Sequence, residues 1–215
     1  DTLSRGKETF AQLAWDEEGA QAAFISTGDS AKSPPSVLYF WKSGSPAAIP
    51  LADSATTGLP RRWVVSGEMQ PFFSRNGARL FFGTSPAPVP DDTTFNDVET
   101  PRLDVWHWNN GYIQSHQLKD AEKEQKRSYT AVIHLETRKF IQLADTLLPG
   151  LLTGNEGNGD VALGVSDLRY RKQISWEEDV PSDVVLVSVE SGKRLLMLPQ
   201  LKGAARLSPG GKFAF

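Results

Sequence analysis

Arg206-Leu207-Ser208-Pro209-Gly210-Gly211-Lys212-Phe213-Ala214-Phe215 runs from an apolar strand end through a polar, Gly-containing turn into a second apolar strand. Glycine supplies the positive φ that a tight hairpin needs. The same order recurs in Leu13-Ala14-Trp15-Asp16-Glu17-Glu18-Gly19-Ala20-Gln21-Ala22-Ala23-Phe24 and in Phe72-Phe73-Ser74-Arg75-Asn76-Gly77-Ala78-Arg79-Leu80-Phe81-Phe82. A third, less regular copy is Gly157-Asn158-Gly159-Asp160-Val161-Ala162-Leu163. Taking Gly19, Gly77, Gly159 and Gly211 as turn markers, the first and last intervals are alike and the middle one is longer. The excess matches a charged stretch, Tyr112 to Arg127, whose alternating signs fit a solvated surface helix.

Each unit carries a second hairpin after the first. Val37-Leu38-Tyr39-Phe40-Trp41 turns back into Ala48-Ile49-Pro50-Leu51. Tyr129 to Leu135 turns at Glu136-Thr137-Arg138-Lys139 into Phe140 to Leu143, and Asp183 to Val189 turns at Glu190-Ser191-Gly192-Lys193 into Arg194 to Leu198. Two hairpins per unit are four strands, and four-stranded units repeated along a chain are propeller blades. The expected fold is therefore all-β, a partial β-propeller of about three blades and the first hairpin of a fourth. The expected units are 1–55, 56–148 with the insertion 112–127, 149–202, and a truncated start at 203–215. The chain reads as a piece of a longer protein, and an open arc with exposed blade faces is expected to self-associate.

Composition narrows the function. Of 215 residues, Lys and Arg make up 23 and Asp and Glu 26, for a formal net charge of −3. A nucleic-acid binder would show a basic excess. No apolar run reaches the roughly 18 residues of a membrane span. With no cysteine, disulfides, thiolate metal sites and Cys nucleophiles are excluded.

The turn Leu207 to Phe213 resembles the Ser-Pro-Asp-Gly-Lys blade signature of TolB-like and prolyl oligopeptidase-type propellers, with Gly210 standing where Asp or Asn is usual. The stretch Phe73 to Phe82 is a looser copy. Leu103-Asp104-Val105-Trp106-His107-Trp108, Phe140 to Asp145, Ser175-Trp176 and Asp183 to Lys193 are together similar to the N-terminal propeller region of secreted bacterial serine peptidases of the prolyl oligopeptidase family. That resemblance implies a periplasmic or secreted protein. It also implies a partner hydrolase domain, absent from this chain, that carries the serine, aspartate and histidine. The propeller's implied role is to gate or position peptide substrates. The alternative is a TolB-like binding or scaffolding propeller with no enzyme attached. A propeller glycosidase ranks last, because inner-strand positions lack paired carboxylates.

The chain itself is expected to have no catalytic residues, metal or cofactor. Gly164-Val165-Ser166-Asp167-Leu168 lacks the second Gly of a nucleophile elbow. His107, His116 and His134 make no close-spaced ligand pair. Asp104 to Trp108 reads as a strand, with Trp106 and Trp108 forming a core pair on one face and His107 on the other. Asn155, Glu156, Asn158 and Asp160 read as a blade turn rather than a Ca²⁺ loop. Asp91, Asp92 and Asp97 fall in a solvated Pro-rich loop. Glu177 and Glu178 are the candidate substrate-binding residues, a carboxylate pair suited to a peptide's free amino group through charge-assisted hydrogen bonds.

Overall fold

The computed structural model describes residues 9–28, 36–88 and 106–215. Three consecutive antiparallel meanders follow the hairpin pattern of the sequence. The first comprises β1 (Thr9–Trp15), β2 (Gln21–Thr27), β3 (Ser36–Lys42) and β4 (Ile49–Ala52). The second comprises β5 (Trp63–Val65), β6 (Phe72–Phe73), β7 (Arg79–Pro86), β8 (Tyr129–His134) and β9 (Lys139–Gln142). The third comprises β10 (Gly150–Thr153), β11 (Val161–Ser166), β12 (Ser182–Ser188) and β13 (Arg194–Leu201). Leu207 and Ala214 then pair across the last turn, with Arg206 and Phe215 exchanging backbone hydrogen bonds. The chain is thus a partial β-propeller of three blades and the opening hairpin of a fourth.

Side chains alternate between the two faces of a strand, and the middle sheet buries both. Leu80, Phe82, Ala131 and Ile133 pack with Ala23, Ile25, Leu38 and Phe40 of the first sheet. Their immediate neighbours Phe81 and Val132 pack the other way, with Ala162 and Val187 of the third sheet. Leu80, Phe81 and Phe82 are all fully buried. The outward faces of the first and third sheets keep Phe10 and Trp15, and Leu152, Leu195 and Leu198, exposed.

The turns repeat at atomic detail. Gly19, Gly77 and Gly211 share φ values of 66°, 66° and 67°, and each donates its N–H to the residue three before it, Asp16, Ser74 or Ser208. The side chain of that residue also accepts a backbone N–H five residues on, from Gln21, Arg79 or Phe213. In the third unit the left-handed glycine is Gly157 (φ 82°), not Gly159. Two extra residues separate the strand ends there, since Thr153 pairs with Ala162 whereas Phe73 pairs with Leu80. A 3₁₀ turn, Asn155–Gly157, takes up the slack.

These turns also latch neighbouring sheets. Gln21 Nε2 donates to the Gly77 carbonyl at 3.0 Å. Arg79, at the equivalent position, donates Nη1 to the carbonyls of Asn158 (3.0 Å) and Gly159 (2.7 Å) and Nη2 to Asp160 (2.7 Å). At the opposite end of the second sheet, Arg194 of β13 reaches back to Asp145 (3.0 Å) and the Leu143 carbonyl (2.8 Å). Burial alone would raise the Asp145 carboxyl. The hydrogen bonds from Arg194 and from the Leu147 and Leu148 N–H groups outweigh it and hold the carboxyl low.

Two parts depart from the sequence reading. β5 is an extra strand that pairs the same edge of β7 as β6 does, further along at Thr84 to Pro86; its Val65 also pairs with Ser36 of β3, so a single bridge links the first two meanders, the first and second sheets, into one hydrogen-bonded set. Trp106, His107 and Trp108 lie on no strand; His107 starts a turn that Asn110 closes, and both indoles are exposed. They form no core pair. Asp104 and Val105, and the loop residues Asp91, Asp92 and Asp97, fall outside the described residues.

Phe81→Ala and Phe82→Ala are each expected to lower unfolding free energy by about 3–5 kcal/mol, measured by urea denaturation, although they open opposite interfaces. Asp145 has a depressed pKa in the folded state, so its contribution is present above the unfolded value and lost as pH falls through the folded one. The stability gap between the parent chain and Asp145→Asn should be widest near neutrality and shrink below about pH 4.

Candidate functional site

The connections that follow the second strand of a blade carry the site. The β7–β8 connection ends in the charged insertion, where α1 (Gln114–Gln125) buries none of its residues. Its surface is laced by Lys126–Glu122, Arg127–Glu124 and His116–Asp120 pairs, each at one-turn spacing. The β11–β12 connection carries a second 3₁₀ turn, Arg171–Ser175.

Asp167 ties the two connections together. It accepts from Tyr112 Oη at 3.3 Å and from Arg171 Nε at 3.0 Å, and the Arg171 guanidinium lies 5.0 Å over the Tyr112 ring. Burial, reinforced by the negative charge of Asp167, raises the Tyr112 hydroxyl above its ordinary value. Gly111 lets the two connections approach closely at this seam. A side chain there would bring its Cβ to 3.3 Å from Arg171 Cβ.

A groove opens on both sides of the seam. At one end is an aromatic cleft of about 330 Å³ walled by Trp106, His107, Trp108, Tyr112, Lys172 and Trp176. Its three indoles are 71%, 85% and 69% exposed, in the order Trp106, Trp108, Trp176. Half of the six tryptophans therefore line one small cleft. Lys172 Nζ sits 5.0 Å over the Trp108 ring and donates to Asn109 Oδ1. The His107 ring stacks on Trp108 at 5.7 Å, and its Nδ1 accepts the Asn109 N–H. At the other end is a polar cleft of about 830 Å³ that shares Asn110, Gly111 and Tyr112 and adds Lys123, Glu124, Arg127, Asp167, Arg171 and Ser182. The hydrogen bond from Arg127 holds the Glu124 carboxyl below its usual range.

Glu177 and Glu178 directly follow Trp176. Glu177 is half-buried and bound by Lys202 Nζ at 3.3 Å, while Glu178 is exposed. The remaining candidates are spent on structure. Glu156, Asn158 and Asp160 bind Arg75, the Asn76 N–H and Arg79 of the neighbouring sheet. Ser166 donates to the Leu147 carbonyl, and Ser208 accepts from Lys212 and Phe213. His134 faces the Val189 carbonyl and Glu190, and His116 pairs with Asp120. Among the described residues no group of three or more His, Asp or Glu is placed to hold a metal ion. No helix among them is long and apolar enough to cross a membrane. The aromatic cleft itself is the feature that reading the sequence missed. Its signal was the spacing of three tryptophans in two connections that only the blade repeat brings to one rim.

Replacing Asp167 with Ala removes the acceptor common to both connections. Trypsin cleavage within Lys119–Arg127 is expected to quicken several-fold, with the unfolding free energy of the sheets, from urea denaturation, within about 1 kcal/mol of the parent.

No family model and no curated protein matches the sequence. Among solved structures, the chain is similar to the β-propeller domain of the Trilobed protease from Pyrococcus furiosus, at 13% identity over 90% of this chain and 45% of that one (TM-score 0.41). It is also similar to an oligogalacturonate lyase from Vibrio parahaemolyticus, at 11% identity over 91% and 42% (TM-score 0.42). A third is TolB from Acinetobacter baumannii, at 12% identity over 99% and 49% (TM-score 0.28). The chain spans about half or less of each. The blade architecture rests on the strand pairing and packing described above.

Proposed function

We propose that this chain is a non-catalytic propeller portion of a secreted or periplasmic peptidase, and that its rim groove receives and positions peptide for a hydrolase domain elsewhere in the parent protein. The aromatic cleft carries the reading. Three exposed indoles joined to a polar, charged channel present apolar walls for side chains and hydrogen-bonding groups for a peptide backbone. Among the described residues, no serine–histidine pair for acyl transfer is assembled. Ser166, the serine of the partial nucleophile motif, donates to the Leu147 carbonyl, and His116 and His134 face other partners. The sequence resemblance to prolyl oligopeptidase-type propellers supplies the choice of peptide.

Glu178 belongs to the same reading as the carboxylate for a substrate's amino group. Glu177, held by Lys202, fixes the loop that presents it. A TolB-like binding propeller without an attached enzyme is the second reading. It draws on the same groove, and whether the parent gene encodes a hydrolase domain separates the two.

The purified chain should bind short unstructured peptides saturably, seen as a shift in tryptophan emission that Trp108→Ala with Trp176→Ala abolishes. It should release no product from fluorogenic peptides. Turnover blocked by a serine-directed inhibitor would overturn the non-catalytic assignment, and a flat titration would overturn the peptide groove.

A further inference from the structure

The charge of the aromatic cleft is one-sided over its described lining. Among its described lining residues there is no Asp or Glu, whereas Lys172 stands in its wall with His107 beside it. Glu178, two residues past Trp176, is exposed and outside that lining, and two other carboxylates near in sequence are committed elsewhere. Asp167 holds Tyr112 and Arg171, and Glu177 holds Lys202. Among the described residues the partners of Lys172 are neutral, the amide oxygen of Asn109 and the face of Trp108. A lysine held over an indole already uses the ring's attraction for cations. A cationic ligand would have to displace it or meet its charge.

Resting on the peptide reading above, we infer that the cleft selects a peptide carrying a carboxylate next to an apolar ring or branched side chain. The carboxylate pairs with Lys172 and the apolar group lies among Trp106, Trp108 and Trp176. The Asn109 contact and the Trp108 ring hold the ammonium in place, so little side-chain freedom is left to lose on binding. The exposed Trp108 indole beneath the ammonium, with Trp106 and Trp176 in the same cleft, sheds water once a ligand enters, which strengthens the ion pair. The neighbouring polar cleft contains both signs of charge, with Lys123, Arg127 and Arg171 against Asp120, Glu124 and Asp167. It does not sort ligands by charge, so the selection falls to the aromatic end.

The carboxylate has two sources, an acidic side chain or a peptide's C-terminus. Tryptophan-emission titrations with four probes separate them: the peptide Gly-Pro-Phe-Glu-Gly-Gly and its Gln analogue, each as the amide and as the free acid. The Glu amide is expected to bind about tenfold more tightly than the Gln amide, the scale of one charge-assisted hydrogen bond. The preference should weaken with added salt. Lys172→Met should erase it, and Lys172→Arg should restore it. If only the free acids gain affinity, the cleft reads the C-terminus. Equal binding of all four probes would overturn the selection while leaving the peptide groove intact, as would a preference that survives in Lys172→Met. Absence of binding by any probe would instead remove the peptide reading itself.

Discussion

Two-sided burial of the middle sheet is the constraint on which the rest of the molecule depends. In Leu80-Phe81-Phe82, three consecutive large side chains are all withdrawn from water. A strand sends successive side chains to opposite faces, so this run demands an apolar partner on each side. The first sheet supplies one and the third supplies the other. Each sheet buries its apolar face against a neighbour, which is the general condition of repeat architectures. Each sheet's stacking also decides which of its connections come to a common rim. The groove is a by-product of that stacking, since its two walls come from connections leaving adjacent sheets.

Polar chemistry then fixes the angle and register that hydrophobic contact leaves loose. Gln21 and Arg79 occupy the same place in successive hairpins and reach across to the next turn. Arg79 does more because it faces a longer turn, whose carbonyls converge on one guanidinium. A planar group with five donors suits such a cluster where an amide would satisfy one carbonyl. The corresponding position in the third hairpin is Val161, which has nothing to donate. The next hairpin instead approaches through Leu207, which lies against Gly154.

The hairpins were legible in the sequence because their determinants are local. A capping Ser or Asp, a left-handed glycine and two apolar strands all lie within a dozen residues, and the structure repeats them almost atom for atom. The polar helix was legible for the same reason. Elsewhere the local signal misled. Trp106-His107-Trp108 alternates like a buried strand, yet a turn at His107 leaves both indoles in solvent. Gly159 looked like the turn glycine of the third unit, but the extra length of that turn moves the left-handed position to Gly157. β5 escaped notice because three residues carry too little pattern to mark a strand. The groove was beyond sequence reading altogether. Its walls lie some 60 residues apart in the chain, and Asp167 joins them only after two sheets have stacked.

The long connection between β7 and β8 has a consequence for how the chain acquires its fold. These two strands form the centre of the middle sheet, pairing from Arg79 with His134 through Thr84 with Tyr129. Every other adjacent pair in the meanders is joined by a shorter link. The ends of stretch 87–128 must therefore meet before the central pairing can form, at an entropic cost that grows with loop length. Its reward arrives only when Phe81 and Phe82 find their partners on both sides. The first and third sheets can zip locally while the middle one waits, so the last element to assemble is the one the others need for burial. Changes in the length of the insertion should consequently register in the rate of folding more than in the final stability.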